Sequence, residues 1–192
     1  MSGKPRLAII GTGSISDFHV AAAKAVGFSV DHVAASLNSV TVATFAKRHS
    51  ISNTWSSPIE LAKSQDQWDA IVLATTTEAL AQLVELAMGS KKPVLAEKPV
   101  GVNSKQIGHL VENSENVLVG FNRRYYAPVQ EAKRFIERGG PSIVRVELPE
   151  SVPWNVELGR RDNKQVRLNS VHGFDLVNYL FPHGASTLSF DR

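Results

Sequence analysis

Arg6-Leu-Ala-Ile-Ile-Gly-Thr-Gly-Ser-Ile-Ser16 is the stretch that decides the fold. Leu7 to Ile10 is a continuous apolar run, the signature of a strand buried on both faces. From Ser16 to Val26, Phe18, Ala21, Ala22 and Ala25 recur at helical spacing and give a one-sided apolar stripe. Between strand and helix lies Gly11-x-Gly13-x-x-Ser16. The first glycine permits the tight turn, and the second lets the backbone approach a pyrophosphate resting on the positive helix end. Ser16 stands where glycine or alanine usually lets helix and strand pack closely. Gly11, Gly13, Ser14 and Ile15 are therefore candidate cofactor-binding residues. A tight turn that holds no ligand is the alternative reading of the same residues.

Outward from that stretch, short apolar runs alternate with amphipathic ones. Strands are expected at Val30–Ala35, Ala70–Ala74, Pro93–Ala96 and Asn116–Val119, and helices at Val40–His49, Glu78–Met88 and Ser104–Asn113. Fully apolar strands between amphipathic helices predict an α/β fold, a doubly wound parallel (Rossmann) sheet, over residues 1–122. Residues 123–192 read differently. Helices are expected at Ala127–Arg138 and Leu168–Phe181, strands at Ser142–Leu148 and Ser186–Phe190, and a loop over Leu148–Lys164. Two strands make a thin sheet with unpaired edges, so the second domain reads as a truncated α+β unit.

Composition narrows the function classes. The chain has 192 residues, enough to bury a core without a staple, and 20% charged residues, too few for a disordered chain. It has no cysteine, which excludes disulfides, thiolate metal sites and a cysteine nucleophile. No metal site is expected. The net charge of +3 is spread over pairs such as Lys91-Lys92, Arg123-Arg124 and Arg160-Arg161, expected to be solvated surface and not a nucleic-acid footprint. No apolar run approaches the ~18 residues of a membrane span, and the apolar run near the start is shorter than a secretion signal of about 7–15. A cytoplasmic protein without membrane or nucleic-acid partners is the expectation.

The remaining candidates sit at the carboxyl ends of expected strands, where open parallel sheets bind ligands. Ser36, Leu37 and Asn38 follow the second strand, where an acidic residue pairs the ribose hydroxyls of NAD or an arginine meets the 2′-phosphate of NADP. Neither residue type is there. Ser36 and Asn38 can hydrogen-bond either cofactor, which leaves NAD against NADP open. Thr75 and Thr76 put hydroxyls at the next strand tip, where helix capping by Thr76 or Thr77 is the plainer reading. Glu97-Lys98-Pro99 follows another strand. A lysine there points into the crevice, and desolvation or a neighbouring cation can tune it to exchange protons. Glu97 is near enough to position a ligand or oppose that charge, although a bare Glu-Lys-Pro is otherwise an ordinary surface turn.

Four ordered blocks together carry a resemblance. They are Gly11-Thr-Gly13-Ser-Ile-Ser16 followed by His19, then Ala96-Glu-Lys-Pro99, then Val119-Gly-Phe-Asn-Arg-Arg-Tyr125, and Val171-His172-Gly-Phe-Asp175-Leu-Val-Asn-Tyr-Leu180. The chain resembles the glucose–fructose oxidoreductase/inositol dehydrogenase (Gfo/Idh/MocA) family over essentially its whole length. The resemblance implies a nicotinamide-dependent oxidoreductase acting on a sugar-like or polyol substrate with NAD or NADP. It implies that Lys98 sits by the nicotinamide and the reacting hydroxyl, and that His172 exchanges a proton with the substrate oxygen. It implies that Asn122 borders the cofactor and that Arg123 and Tyr126 border the substrate.

Two departures qualify it. Leu168 stands where members with a full Lys–Asp–His set carry an aspartate, and a leucine can neither orient a base nor accept a proton. Asp175 reads as a structural residue, not a replacement. The chain also stops soon after the histidine helix, where members run on into a large sheet. A second expectation follows: a truncated, non-catalytic dinucleotide-binding relative that acts through binding or assembly. An S-adenosylmethionine-dependent methyltransferase shares a glycine-rich first loop, but Glu97-Lys98-Pro99 and the lack of an acidic residue after the second strand argue against it. The exposed edge and uncovered helix faces of the second unit predict a homodimer, with a fragment of a longer gene product as the alternative expectation.

Overall fold

The computed structural model describes residues 3–36, 39–101, 103–139, 145, 147 and 171–182. They fall into two compact units, the first ending at Gly120 and the second beginning at Phe121.

In the first unit, β1 (Arg6–Ile10) leads through a tight turn into α1 (Ser14–Ala25). Next come β2 (Ser29–Ala34), α2 (Thr41–His49), β3 (Asn53–Trp55), α3 (Pro58–Lys63), β4 (Ala70–Leu73), α4 (Thr77–Met88), β5 (Val94–Ala96), α5 (Ser104–Val111) and β6 (Val117–Val119). All pairings are parallel, in the order β3-β2-β1-β4-β5-β6. The doubly wound parallel sheet expected from the apolar strand runs is therefore the fold. The chain winds outward from β1 in one direction, then returns and winds outward in the other, so the order reverses between β1 and β4.

Both faces of the sheet are covered, and the two-residue period of β1 shows how. Leu7 and Ile9 pack in one core with Val20 and Ala23 of α1 and Phe45 and Ala46 of α2. Ala8 and Ile10 pack in the other with Leu61, Trp68, Leu80, Leu83 and Val84, from α3, the loop before β4, and α4. Ile9, Ile10, Phe45 and Trp68 are fully buried. Burying a large side chain of this kind contributes about 1.5–3 kcal/mol.

Some expectations need correction. The stretch 50–69, given no element from the sequence, holds β3 and α3. β3 is a three-residue edge strand with no apolar run, formed because His32, Val33 and Ala34 offer it a ladder. α3 had a readable signal: Ser57 caps it by accepting from the Glu60 N–H at 3.2 Å, and proline opens its first turn. α1 begins at Ser14, two residues before the expected start, and it buries Ser16, Val20 and Ala23 against the sheet, whereas the expected stripe of Phe18, Ala21, Ala22 and Ala25 is exposed; α5 ends at Val111, two residues early.

The basic pairs are not simply solvated. Lys92 donates from Nζ to the Gln65 and Trp68 carbonyls at 2.6 and 2.7 Å. Arg160-Arg161 lies outside the described residues.

In the second unit a short 3-10 turn (Asn122–Tyr125) leads into α6 (Ala127–Glu137), and a further helix, α7, spans Val171–Leu180. Arg124 is the other correction to the solvated pairs. Its guanidinium donates to the buried Asp175 carboxylate of α7, with Nε to Oδ2 at 2.8 Å, and lies over the Phe121 and Tyr179 rings. Asp175 is thus committed to structure. The strands expected at Ser142–Leu148 and Ser186–Phe190, the loop over Leu148–Lys164, and Leu168 lie outside the described residues.

At Gly11 the fold tolerates no side chain. Its φ is +116°, and a Cβ there would lie 1.9 Å from the Ala74 carbonyl oxygen. Gly11→Ala should cost about 3 kcal/mol, lowering Tm by roughly 10 °C. Thermal unfolding followed by circular dichroism checks this, and an unchanged Tm would contradict the close approach.

Candidate functional site

Ladder hydrogen bonds continue past the strand ends and fix the loops that leave them. The Gly11 N–H donates to the Ala34 carbonyl at 2.8 Å and the Ala74 N–H to Ile10 at 2.7 Å. The Glu97 N–H donates to Leu73 and the Gly120 N–H to Ala96, both at 2.8 Å. The carboxyl ends of four neighbouring strands, β2, β1, β4 and β5, are thereby held in one row. On that row stand Ser36, the Gly11–Ile15 turn, Thr75 with Thr76, and Glu97 with Lys98. The described residues singled out from the sequence in the first unit, Gly11, Gly13, Ser14, Ile15, Ser36, Thr75, Thr76, Glu97 and Lys98, stand along the carboxyl edge of the sheet.

Each has a definite environment. Gly13 is exposed and caps α1, with nothing within 4 Å of where a Cβ would stand. Its omission of a side chain therefore leaves open space over the helix end; it does not relieve a clash. No side chain caps α1. Ser14 and Ile15 are exposed in the first turn. Ser16 is fully buried, and its Oγ finds no hydrogen-bond partner among the described residues. It therefore serves as a small packing residue, at the cost of one unsatisfied hydroxyl. Thr12 shares a hydrogen bond with Thr41 at 2.5 Å, and Ser39 with Thr41 at 2.8 Å, tying the turn to the start of α2. Ser36 is exposed in the bend after β2; Leu37 and Asn38 lie outside the described residues. Thr76 takes the N-cap position of α4, but its side chain makes no capping bond. The plainer capping reading of Thr76 therefore fails, and its hydroxyl, like that of half-buried Thr75, lies at the strand tip.

Glu97 and Lys98 are half-buried, Pro99 is buried, and the Lys98–Pro99 peptide bond is cis. The main side-chain partner of Glu97 comes from α1. His19 Nε2 lies 2.9 Å from Glu97 Oε1, with the two side chains only 16% and 19% exposed. That bond holds the Glu97 carboxyl below its ordinary range, chiefly through His19, against the opposing cost of burial and with help from the Lys98 backbone. Gly120 completes the seat, since a Cβ there would come within 3.4 Å of the carboxylate carbon and both its oxygens. In the sequence His19 stands out only as part of a motif. Its signal was its place on the first helix, one turn beyond Gly13-Ser-Ile-Ser16, where a helical side chain meets the neighbouring strand ends.

The other predicted residues belong to the second unit. Asn122 and Tyr126 are exposed and Arg123 is half-buried. His172 is buried at the start of α7, its ring edge-on to Phe121 at 6.1 Å. Among the described residues no cluster of side chains fits a metal ion, and no helix is long and apolar enough to cross a membrane.

Comparison with known proteins agrees with this arrangement. Residues 5–120 match the GFO_IDH_MocA family, described as an oxidoreductase family with an NAD-binding Rossmann fold. The chain is 21% identical over 182 residues to myo-inositol 2-dehydrogenase of Thermotoga maritima, covering 91% of this chain and 54% of that protein. It is 26% identical over 189 residues to inositol 2-dehydrogenase of Rhizobium meliloti, with 91% and 54% covered. Among solved structures it is similar in fold to Lactobacillus casei myo-inositol dehydrogenase in complex with NAD(H) and myo-inositol. That match has a TM-score of 0.75 at 18% identity and covers 93% of this chain and 55% of that one. The chain spans about half the length of the curated relatives it matches.

The shifted Glu97 makes a testable contribution to stability. A carboxyl whose folded pKa lies below its unfolded one stabilises the fold above the ordinary carboxylate range, and this is lost as pH falls through the folded value. Glu97→Gln should therefore lower neutral-pH stability by about 1–2 kcal/mol and flatten the loss of stability on acidification. Urea denaturation at several pH values between neutral and acid measures both effects.

Proposed function

Starting from the fact that the chain belongs to the Gfo/Idh/MocA oxidoreductase family with its NAD-binding Rossmann fold, we propose that it transfers hydride between NAD(P) and a sugar-like or polyol substrate of the inositol kind. The observation that carries the proposal is Lys98, held at the carboxyl end of β5 on the same row as the open glycine turn. Residues 1–122 are the dinucleotide-binding domain in this proposal, and 123–192 the substrate and dimerisation part.

The residues present suit a dinucleotide. Gly13 leaves uncovered the N-terminal end of α1, whose N–H groups and dipole favour a pyrophosphate. Thr75 and Thr76 offer hydroxyls one strand further on, and Ser36 lies where the adenosine ribose is read. Leu37, Asn38 and Asn122 complete the proposed cofactor contacts. Among the described residues no side chain favours NAD over NADP, and the proposal includes either cofactor. When bound, the nicotinamide supplies a hydride acceptor or donor. The chain's own residues then have to orient the carbinol carbon and move the hydroxyl proton. In the oxidising direction Lys98 Nζ takes the proton as the carbon gives up its hydride, and in the reducing direction it returns it. Glu97 shapes that corner. His172 is assigned a second proton-handling role on the second unit, with Arg123 and Tyr126 as substrate contacts.

Leu168 favours a second reading, in which the chain binds dinucleotide without catalysis, because no aspartate stands four residues before His172. The deciding experiment titrates the purified chain with NADH and NADPH, following quenching of its three tryptophans, with S-adenosylmethionine as control. Turnover of myo-inositol is then assayed with the cofactor that binds. Saturable micromolar binding with turnover is expected. Lys98→Ala should cut turnover by about 10²–10⁴-fold while changing cofactor affinity little. Undiminished turnover would remove Lys98 from the chemistry, and binding without turnover would favour the non-catalytic reading.

The same proposal makes the protein a cytoplasmic homodimer. Support comes from α6, none of whose residues is buried, and from Phe135 and Phe174, exposed at 57% and 47%. Light scattering at micromolar concentration should give twice the chain's mass; a monomeric mass would refute the dimer.

A further inference from the structure

We propose that His19 is a positioning residue, which holds the Glu97 carboxylate so that the 97–99 turn presents Lys98 to the reacting hydroxyl. The inference rests on the role given to Lys98 above and extends it to a residue on a different element.

Glu97 is fixed from three sides of the same unit. β4 holds its main chain through Leu73, Gly120 after β6 leaves room for its carboxylate, and α1 reaches it through His19. Only the last of these is a directional bond to the carboxylate from a side chain. With Glu97 ionised, His19 Nε2 must be the protonated, donating nitrogen whether or not the ring carries a charge. The bond therefore does not need a charged ring, which suits a fixed strut better than a switch. Among the described residues, the charged and titratable groups that bear on this carboxylate are His19 from α1 and Lys98 from its own turn, and Gly120 faces it from the end of β6.

The position of His19 gives the bond its consequence. α1 is the helix whose first turn, Ser14 and Ile15, lies at the proposed pyrophosphate site. His19 stands in the second turn of that helix and grips the residue next to Lys98. One short side-chain bond thus links the helix that receives the phosphates to the turn that carries the proton-transfer group. Placement errors of about 1 Å at such a group cost on the order of a hundredfold in rate. Removing the strut should therefore appear in kcat and not in cofactor binding.

The test compares the full-length chain with its His19→Ala and His19→Gln variants. Gln places an amide nitrogen near the site of Nε2, whereas alanine leaves the carboxylate without its donor. The first readout, taken without cofactor, is the titration of the Glu97 side-chain carboxyl by carbon-13 NMR, assigned with Glu97→Gln. It should lie below the ordinary carboxylate range in the unsubstituted chain and in His19→Gln, and return to that range in His19→Ala. The second is NADH affinity, expected to change less than about threefold in either variant. The third is myo-inositol turnover. His19→Ala should lose about a hundredfold in kcat with little change in KM, its acid limb should move to higher pH, and His19→Gln should recover at least tenfold. If His19→Ala fails to fold, His19→Asn, whose amide is too short to reach Oε1, replaces it. Glu97 titrating alike in all chains, or kcat unchanged in the donor-less variant, overturns the role of His19. An unsubstituted chain that binds no NADH overturns the role of Lys98 and this one with it, a failure distinguishable because Glu97 would still titrate low.

Discussion

The approach of the β1–α1 turn to the end of β4 is the constraint on which the rest of the first unit depends. At Gly11 the backbone passes so close to the Ala74 carbonyl that a Cβ would lie at 1.9 Å, and φ is positive. The same residue donates to Ala34 on the other side. β1 is therefore clasped between β2 and β4 at the point where the winding reverses. If that turn were wider, α1 would start further from the sheet, and neither Ser16 nor His19 would reach its position. A backbone requirement at one residue sets where a whole helix begins, and with it which side chains face the strand ends.

The polar groups at this edge illustrate how a site is made from a parallel sheet. The residues that follow β1, β4, β5 and β6 still donate their N–H to the neighbouring strand, so these positions, Glu97 among them, start from a fixed backbone. What remains is to orient side chains, and here burial matters. The His19–Glu97 bond lies four-fifths shielded from water, where a hydrogen bond is stronger and an unpaired partner more costly than at the surface. Ser16 shows the opposite case. Its hydroxyl is buried without a partner among the described residues, tolerated because a small side chain is needed where helix and strand meet.

In the second unit the ordering element is the Arg124 guanidinium. It is bonded to a buried carboxylate, and aromatic rings lie on it from Phe121 and Tyr179, combining a charge-assisted hydrogen bond with cation–π contact. His172 sits on the same helix as Asp175, one turn earlier, so the ion pair that docks α7 on the 3-10 turn also sets where the histidine lies. From the sequence, Arg123-Arg124 looked like solvated surface because charge alone does not say which face of a turn is covered.

Sequence by itself determined the architecture wherever the cause is local or periodic. Leu7 to Ile10 has to be a strand covered on both faces, the glycines have to form a tight turn, and α2 and α4 show their helical periodicity, although the face that α1 buries is not the one its apolar spacing suggests. The same pattern puts Ser36, Thr75, Thr76, Glu97 and Lys98 just past the carboxyl ends of neighbouring strands, on one edge of the sheet. Tertiary structure decided what has no local signal. β3 exists only because β2 offers it an edge, Lys92 and Arg124 are tied down by carbonyls and a carboxylate distant in sequence, and Glu97 answers to His19, 78 residues away. Periodicity follows from backbone geometry and can be read along a chain. Which polar groups meet depends on how close the folded elements bring them, and that distance is set by packing.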